Sequence, residues 1–246
     1  MTQHVLLNSV DHHDVRVITT RSAGLGDNQW FCPTFPLEFR SVQADFPIFF
    51  HKDSQTGQLF PVAIFGFSHH ENLFLEQGLW ADTYWPLALR RQPFLIGQQL
   101  IKEDGVERAH RVLHIDLDHP RVSKTAGEPL FLPFGGNSQL LDDMASLLET
   151  LHHGMQDAKQ LVTELLALQL LEGVTLDITL DNGQKHQMIG FYTINEDKLA
   201  LLDATTLQKL QQQGYLQAIY MVLASQSNIR HLIQLKNQQL QQQQAG

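Results

Sequence analysis

A long run of regularly spaced apolar residues between Gln139 and Leu171 constrains the fold of this chain more than any other feature. The apolar side chains recur at steps of three and four, at Leu140, Met144, Leu147, Leu151, Met155, Ala158, Leu161, Leu165 and Leu168. Such spacing places them on one face of an α-helix. Asn137 or Ser138 is suited to cap the first turn, and Gly154 is a point where the helix could divide into two pieces. The pattern predicts one long amphipathic helix.

Apolar and β-branched runs on both sides of this helix predict strands. Before the helix, the predicted strands cover residues 4–10, 15–19, 46–50, 60–68, 72–76, 94–102 and 110–118. Residues 31–39 contain two prolines and predict irregular backbone. After the helix, residues 172–190 alternate in hydrophobicity around Asp181-Asn182-Gly183, which is typical of a hairpin. We therefore expect an α+β fold with a mostly antiparallel or mixed sheet, one long helix and a compact C-terminal αβ lobe.

The C-terminal part combines capped helices with one more apolar run. Asn195 and Asp203 are suited to cap two short helices, and Gly214 is suited to end the second one. Residues 215–224 are apolar at both odd and even positions, which predicts a central strand covered on both faces. Residues 226–244 predict a final helix that ends in glutamines.

Length and charge limit the class of protein. The 246 residues predict a single domain over 1–246, with a β-rich lobe over 1–134 and an αβ lobe over 135–246. The formal net charge of −9 argues against a nucleic-acid partner, because phosphate binding needs a basic surface. Cys32 is the one cysteine, and its apolar neighbours favour a buried thiol. No apolar run is long enough to span a membrane, and no secretory signal pattern is present, so a cytoplasmic location is predicted.

Residues 78–94, which read GLWADTYWPLALRRQPF, form the strongest candidate for a binding site. We call them the aromatic–arginine segment. Paired guanidiniums beside aromatic rings are suited to hold a carboxylate, a phosphate, or a peptide with acidic and aromatic groups. The alternative is structural, with one arginine holding loop carbonyls while the rings fill the core. The candidate ligand- or partner-binding residues are Trp80, Asp82, Tyr84, Trp85, Arg90, Arg91 and Phe94.

A second candidate site lies in the predicted strand over residues 110–118. Strand alternation places His110, His114 and Asp116 on one face, and two histidines with a carboxylate are the ligand types of a non-haem Fe(II) site. The order of His114 and Asp116 is the reverse of the common H-x-D pattern, so a solvated strand face is the alternative. No cofactor is predicted, with Fe(II) as the alternative. The sequence also contains no Walker A motif and no G-x-S-x-G elbow.

Several motifs resemble those of the bacterial SapC family. Trp80-x-x-x-Tyr84-x-Pro86, followed by Arg90-Arg91-x-Pro93-Phe94, is similar to the family's W…Y-x-P…RR-x-PF signature. Weaker similarities lie on both sides of it, at Glu38-Phe39, Phe46-Pro47-Ile48, Asn72-Leu73-Phe74, Asp116, Leu130-Phe131, Gly135, Gly190-Phe191-Tyr192, Ile194-Asn195-Glu196, Lys198-Leu199, Gly214-Tyr215-Leu216, Ser225 and Asn228. The resemblance implies a link to surface-layer proteins, and to accessory proteins near outer-membrane receptor systems, peptide-modifying oxygenases and flavin-dependent tryptophan halogenases. It implies no set of catalytic residues.

Three functions are compatible with these observations. The favoured prediction is a non-catalytic accessory protein that recognises a protein or peptide partner through the aromatic–arginine segment. The alternative is a metal-dependent, peptide-modifying enzyme of the non-haem iron type, or a subunit of one. A third hypothesis is a structural subunit that forms a homo-oligomer through the helix predicted over residues 139–171.

Overall fold

The computed structural model describes residues 3–75, 83–103 and 106–245. The helices in these ranges are α1 (Pro36–Asp45), α2 (Leu87–Arg90), α3 (Gln139–Ala167), α4 (Glu196–Ala200), α5 (Ala204–Gln212), α6 (Tyr215–Ser225) and α7 (Ile229–Ala245). The strands are β1 (His4–Leu6), β2 (Arg16–Val17), β3 (Phe31–Pro33), β4 (Ile48–Lys52), β5 (Leu59–Ile64), β6 (Phe94–Glu103), β7 (Val106–Asp116), β8 (Val122–Ser123), β9 (Glu128–Pro129), β10 (Leu171–Thr179) and β11 (Lys185–Ile194). These strands pair in antiparallel sheets. The predicted α+β fold with one long helix is confirmed.

The chain divides into two compact units, and each unit contains two separate segments of the sequence. The first unit consists of Met1–Asp27 and Leu87–His153. The second unit consists of Asn28–Pro86 and Gly154–Gly246. The single domain with lobes on either side of residue 134 stays a prediction.

Two small sheets build the first unit. Strands β6 and β7 form a long hairpin whose register runs from Phe94 opposite Ile115 to Glu103 opposite Val106. Strand β1 pairs with the other edge of β7, and β2 lies between β8 and β9 in the second sheet. The paired side chains of Phe94 and Ile115 are both fully buried, so this end of the hairpin belongs to the core of the unit.

A five-stranded sheet in the order β10-β11-β4-β5-β3 builds the second unit. Helix α6 packs against α1 and against strands β4 and β11. The Ser225 hydroxyl accepts a hydrogen bond from the Ile48 backbone N–H at 2.8 Å, which ties the end of α6 to the start of β4. Aromatic rings supply much of the buried apolar area in this unit. The most deeply buried rings are Phe35, Phe39, Phe46, Phe49, Phe50, Phe65, Phe74 and Phe191.

Helix α3 covers 29 residues and continues through Gly154. The Ser138 hydroxyl accepts a hydrogen bond from the Leu141 backbone N–H at 3.3 Å, as expected of a cap residue. Gly154 therefore does not divide the helix, and its role is in packing. An ideal Cβ at Gly154 would lie 2.2 Å from Cδ2 of the fully buried Phe35 ring. Glycine is needed here because an aromatic ring occupies the space of a side chain.

The strand predicted over residues 215–224 is wrong, because these residues form helix α6. Gly214 precedes the helix with a φ of 77°, which favours glycine. The buried residues of α6 recur at steps of three and four, as in a helix, and are Tyr215, Ala218, Ile219, Val222 and Ser225. Apolar residues also fill positions outside this buried face, such as the half-buried Leu216 and the exposed Tyr220, so α6 is apolar at both odd and even positions, as a central strand is. The pattern alone therefore does not separate the two.

Two shorter predictions are also wrong. Residues 31–39 form β3 and the start of α1 rather than irregular backbone. Pro33 lies in β3, an edge strand that tolerates a missing N–H donor, and Pro36 is the first residue of α1, where its fixed φ favours a helix. Residues 73–75 form a turn in place of the strand predicted from residue 72, and the Asn72 side chain accepts a hydrogen bond from the Phe74 backbone N–H at 3.2 Å.

Candidate functional site

The aromatic–arginine segment has members in three different settings. Trp80 and Asp82 lie outside the described residues. Tyr84 and Trp85 belong to the second unit, whereas Arg90, Arg91 and Phe94 belong to the first. The binding role of the whole set stays a prediction, and the environments of the described members differ.

Tyr84 is attached to helix α1 by two hydrogen bonds. Its hydroxyl donates to Oε1 of Glu38 at 3.0 Å, and its backbone N–H donates to Oδ2 of Asp45 at 3.1 Å. Glu38 is buried and also accepts a hydrogen bond from the Thr34 hydroxyl at 3.0 Å. Its carboxylate lies in the first turn of α1, where the helix dipole stabilises negative charge. Tyr84 is thus held in the second unit by a buried carboxylate, and Trp85 beside it is half-buried.

The thiol of Cys32 is buried in the second unit. Burial raises the pKa of Cys32 well above its ordinary value, and the nearby Glu38 carboxylate adds to this effect. The thiol is therefore protonated at neutral pH and is unsuited to act as a nucleophile. The predicted buried thiol is confirmed.

Arg91 and Phe94 secure the start of strand β6. Nη1 of Arg91 donates to the carbonyl oxygen of Phe94 at 2.9 Å, and the Phe94 ring is fully buried. Burial lowers the pKa of Arg91, although a guanidinium keeps its charge at physiological pH. An arginine that holds a loop carbonyl beside a buried ring is the arrangement expected of the structural alternative.

A buried ion pair organises the loop after β2. Nη2 of Arg121 lies 2.6 Å from both carboxylate oxygens of Asp27, and the two side chains are only 2% and 1% exposed. Nη1 of Arg121 donates to the carbonyls of Ile18 and Thr20 at 2.8 and 2.6 Å. Asp27 also accepts from the backbone N–H of Ser22 at 2.9 Å. These bonds give a buried charge the partners that it needs and fix the loop in place.

Further arginines lie near this ion pair. Burial lowers the pKa of Arg21, the Asp27 carboxylate opposes this shift, and the positive charges of Arg90 and Arg121 lower the pKa again. We call Arg21, Arg90, Arg91 and Arg121 the arginine cluster. Asp27 balances part of its positive charge, in a protein whose net charge is −9.

His119 lies beside the arginine cluster and is neutral at neutral pH. Burial is the main cause that lowers the pKa of His119, and the charge of Arg121 lowers it further. Asp116 and Asp27 raise this pKa, and Arg91 lowers it. Nδ1 of His119 accepts a hydrogen bond from the backbone N–H of Arg121 at 3.2 Å, so the hydrogen of the neutral ring is on Nε2.

The exposed side of the arginine cluster is suited to bind an anion. Guanidiniums hold carboxylates and phosphates through paired N–H donors. Arg121 is buried and bonded to Asp27, whereas the side chains of Arg21 and Arg90 are exposed to solvent. Among these three arginines, the sequence pointed only to Arg90. Asp27 and Arg121 are 94 residues apart, and no local motif connects them.

The three candidate metal ligands all lie on strand β7, but they do not form a site. At about 3.3 Å per residue, His110 and His114 are about 13 Å apart along the strand. The His114 ring covers Gly97, whose ideal Cβ would lie 2.6 Å from Nε2 of the histidine. Oδ1 of Asp116 accepts from the backbone N–H of Gln3 at 3.0 Å. Among the described residues, no group of three His, Cys, Asp or Glu side chains is placed to hold a metal ion.

Comparison with known proteins places the chain in a family. A model of the SapC family matches residues 7–232. The chain belongs to the SapC family. The matched range contains every motif that resembles SapC, from Glu38 to Asn228, so the resemblance is confirmed. No curated protein and no solved structure matches this SapC chain. In the described part of the chain, no helix is both long and apolar enough to cross a membrane.

Proposed function

We propose that this SapC protein is a non-catalytic binding protein that recognises an acidic group on a protein or peptide partner through Arg21 and Arg90. The observation that carries the proposal is the arginine cluster itself. The exposed guanidinium of Arg21 lies in the field of two others, the exposed Arg90 and the buried, fixed Arg121. Paired arginines are suited to a carboxylate because each presents two parallel N–H donors.

The ion pair between Arg121 and Asp27 supports this proposal because it prepares the site before a partner arrives. Asp27 already accepts hydrogen bonds from Arg121 and from the backbone of Ser22. The loop that carries Arg21 is therefore rigid, and little ordering is needed on binding. Preorganisation of this kind favours affinity because less conformational entropy is lost.

The setting of this binding role is part of the same proposal. Membership of the SapC family supports a link to surface-layer proteins or to outer-membrane receptor systems. A cytoplasmic location also belongs to the proposal, together with recognition of the partner before it leaves the cell.

Peptide binding by arginine variants tests the proposed function. The probe is a fluorescent peptide in which glutamates flank a tryptophan, and the reference is the same peptide with glutamines. We expect saturable binding of the acidic peptide, weakened about tenfold by Arg90→Gln or by Arg21→Gln, because each change removes one charge-assisted contact. The matched control is Arg230→Gln, which removes an exposed arginine of the second unit. Equal binding of the acidic and amide peptides, or unchanged binding by the Arg90 and Arg21 variants, would contradict the proposal.

A further inference from the structure

The second unit contains a groove of about 480 Å³ between the C-terminal half of helix α3 and the turn that joins β4 to β5. Val162, Leu166 and Leu59 supply its apolar surface. Lys52 and Lys159 lie on opposite walls, and Tyr192 of β11 also lines the groove. We call it the lysine groove. It belongs to a different unit from the arginine cluster and is independent of the function proposed above.

The wall formed by the β4–β5 turn is rigid. Oδ1 of Asp53 accepts hydrogen bonds from the backbone N–H groups of Gln55 and Thr56 at 3.0 and 2.6 Å, and from the Thr56 hydroxyl at 2.9 Å. The Gly57 N–H donates to the Asp53 carbonyl at 2.8 Å, and its φ of 69° suits glycine. The turn is thus closed by its own hydrogen bonds. The groove exists before any ligand enters.

The two lysines give the lining of the groove two positive charges. No carboxylate lines it among the described residues. Hydrogen bonds within the turn occupy Asp53, the carboxylate next to Lys52, and they lower its pKa. On α3, the residues three and four positions from Lys159 are uncharged, so no helical ion pair forms there. Glu164 instead bonds to Lys209 at 2.8 Å.

The apolar surface of the groove is open to solvent. Leu166 is 51% exposed, which is costly for a leucine with no partner, while Val162 beneath it is buried. The ring of Tyr192 adds to the apolar surface of the groove. This ring lies against Gly173, because an ideal Cβ on that glycine would be 3.8 Å from Cε1 of the tyrosine. An apolar surface between two cations fits a molecule with an alkyl chain and an anionic end.

The strand order favours a small molecule over an extended peptide. Strands β4, β5 and β11, which contribute to the groove, are all interior strands of the five-stranded sheet. Their backbone groups are paired within the sheet, so no edge is available for strand addition. The volume of the groove lies within the usual range for ligand sites.

We infer that the lysine groove binds an aliphatic carboxylate of the fatty-acid type. The carboxylate lies between Lys52 and Lys159, and the alkyl chain covers Leu166 and Val162. Charge complementarity selects the anionic end, and burial of the exposed leucine favours the chain.

Calorimetric titration with sodium dodecanoate, kept below its micellar concentration, tests the inference. We expect saturable one-to-one binding that tightens about twofold to fourfold for each methylene between octanoate and dodecanoate. Lys52→Gln and Lys159→Gln each weaken binding about fivefold, as expected for a partly exposed ion pair. Leu166→Gln weakens it about tenfold because the alkyl chain loses its apolar contact.

Matched controls separate the lysine groove from other sites. Lys185→Gln removes an exposed lysine outside the groove, and Leu201→Gln removes an exposed leucine outside it; both retain wild-type affinity. Arg90→Gln also retains wild-type affinity for dodecanoate, although it is expected to weaken binding of the acidic peptide. The lysine groove and the proposed peptide binding are therefore tested independently. The inference is overturned by an absence of saturable binding, by equal binding of dodecyltrimethylammonium, or by unchanged affinity in the two lysine variants. Tighter binding of a glutamate–leucine peptide than of dodecanoate also overturns it.

Discussion

Arg121 carries a charge that water does not reach, and its partners explain why the protein tolerates it. Its guanidinium donates to the carbonyls of Ile18 and Thr20 and to the carboxylate of Asp27, so one side chain holds ten residues of loop. No sequence pattern identifies this residue, because its pairing depends on a fold that brings distant segments together. Arg90 and Arg91 are different, because two adjacent arginines among aromatic residues form a local pattern. The local part of the candidate site was therefore predictable, and its supporting ion pair was not.

Replacing Asp27 with asparagine tests the importance of this ion pair. The change keeps the shape of the side chain but leaves the Arg121 guanidinium buried without its counter-charge. We therefore expect the free energy of unfolding to fall by about 3–5 kcal/mol. Chemical denaturation followed by circular dichroism measures it. The control is Asp14→Asn, which breaks an exposed pair with Lys124 and is expected to change stability little. Similar losses in the free energy of unfolding for the two substitutions would show that the buried ion pair contributes no more to stability than the exposed one.

Among the elements, helix α3 shows what a pattern of apolar residues does and does not contain. Its start, its cap and most of its length were predicted, because an amphipathic helix repeats its apolar positions over many turns. The role of Gly154 was not, because it depends on the ring of Phe35, 119 positions earlier in the chain. Helix α6 was predicted as a strand because apolar residues at exposed and half-buried positions hide the helical period, which only the pattern of burial shows.

Gly154→Ala tests the packing of helix α3. In an open helix, alanine would be favoured over glycine by about 1 kcal/mol. Here the new Cβ would meet the buried Phe35 ring, and overpacking of this kind costs about 1–3 kcal/mol, so we expect a net loss of stability. Thermal unfolding of Gly154→Ala and of Gly24→Ala provides the comparison, because nothing lies within 4 Å of an added Cβ at Gly24. A higher melting temperature for Gly154→Ala would refute the packing role.

At the scale of the whole molecule, the two units are built from segments that alternate along the chain. The chain passes from the first unit to the second, returns, and passes to the second again. Composition and motifs predicted the α+β class and the SapC family, since both depend on local sequence. The partition into units depends on long-range pairing, such as β1 with β7, and no composition change marks its boundaries.

Cutting the chain at residue 134 tests this partition. Fragments 1–134 and 135–246 each lack part of both units, so we expect neither fragment to fold alone. We expect their circular dichroism to show no cooperative thermal transition, and that of the full chain to show one. A cooperative transition in either fragment would instead support the lobes predicted from the sequence.

The pairing of β1 with β7 also sets an order of events at the ribosome. His4 lies opposite Asp116, so the first strand must wait for its partner to be synthesised. At about 5–20 residues per second, that delay is about 5–20 seconds. The first unit has all of its residues once His153 emerges, whereas the sheet of the second unit still lacks β10 and β11 at that moment. All residues of the arginine cluster are therefore available to fold together while the rest of the protein is still being made.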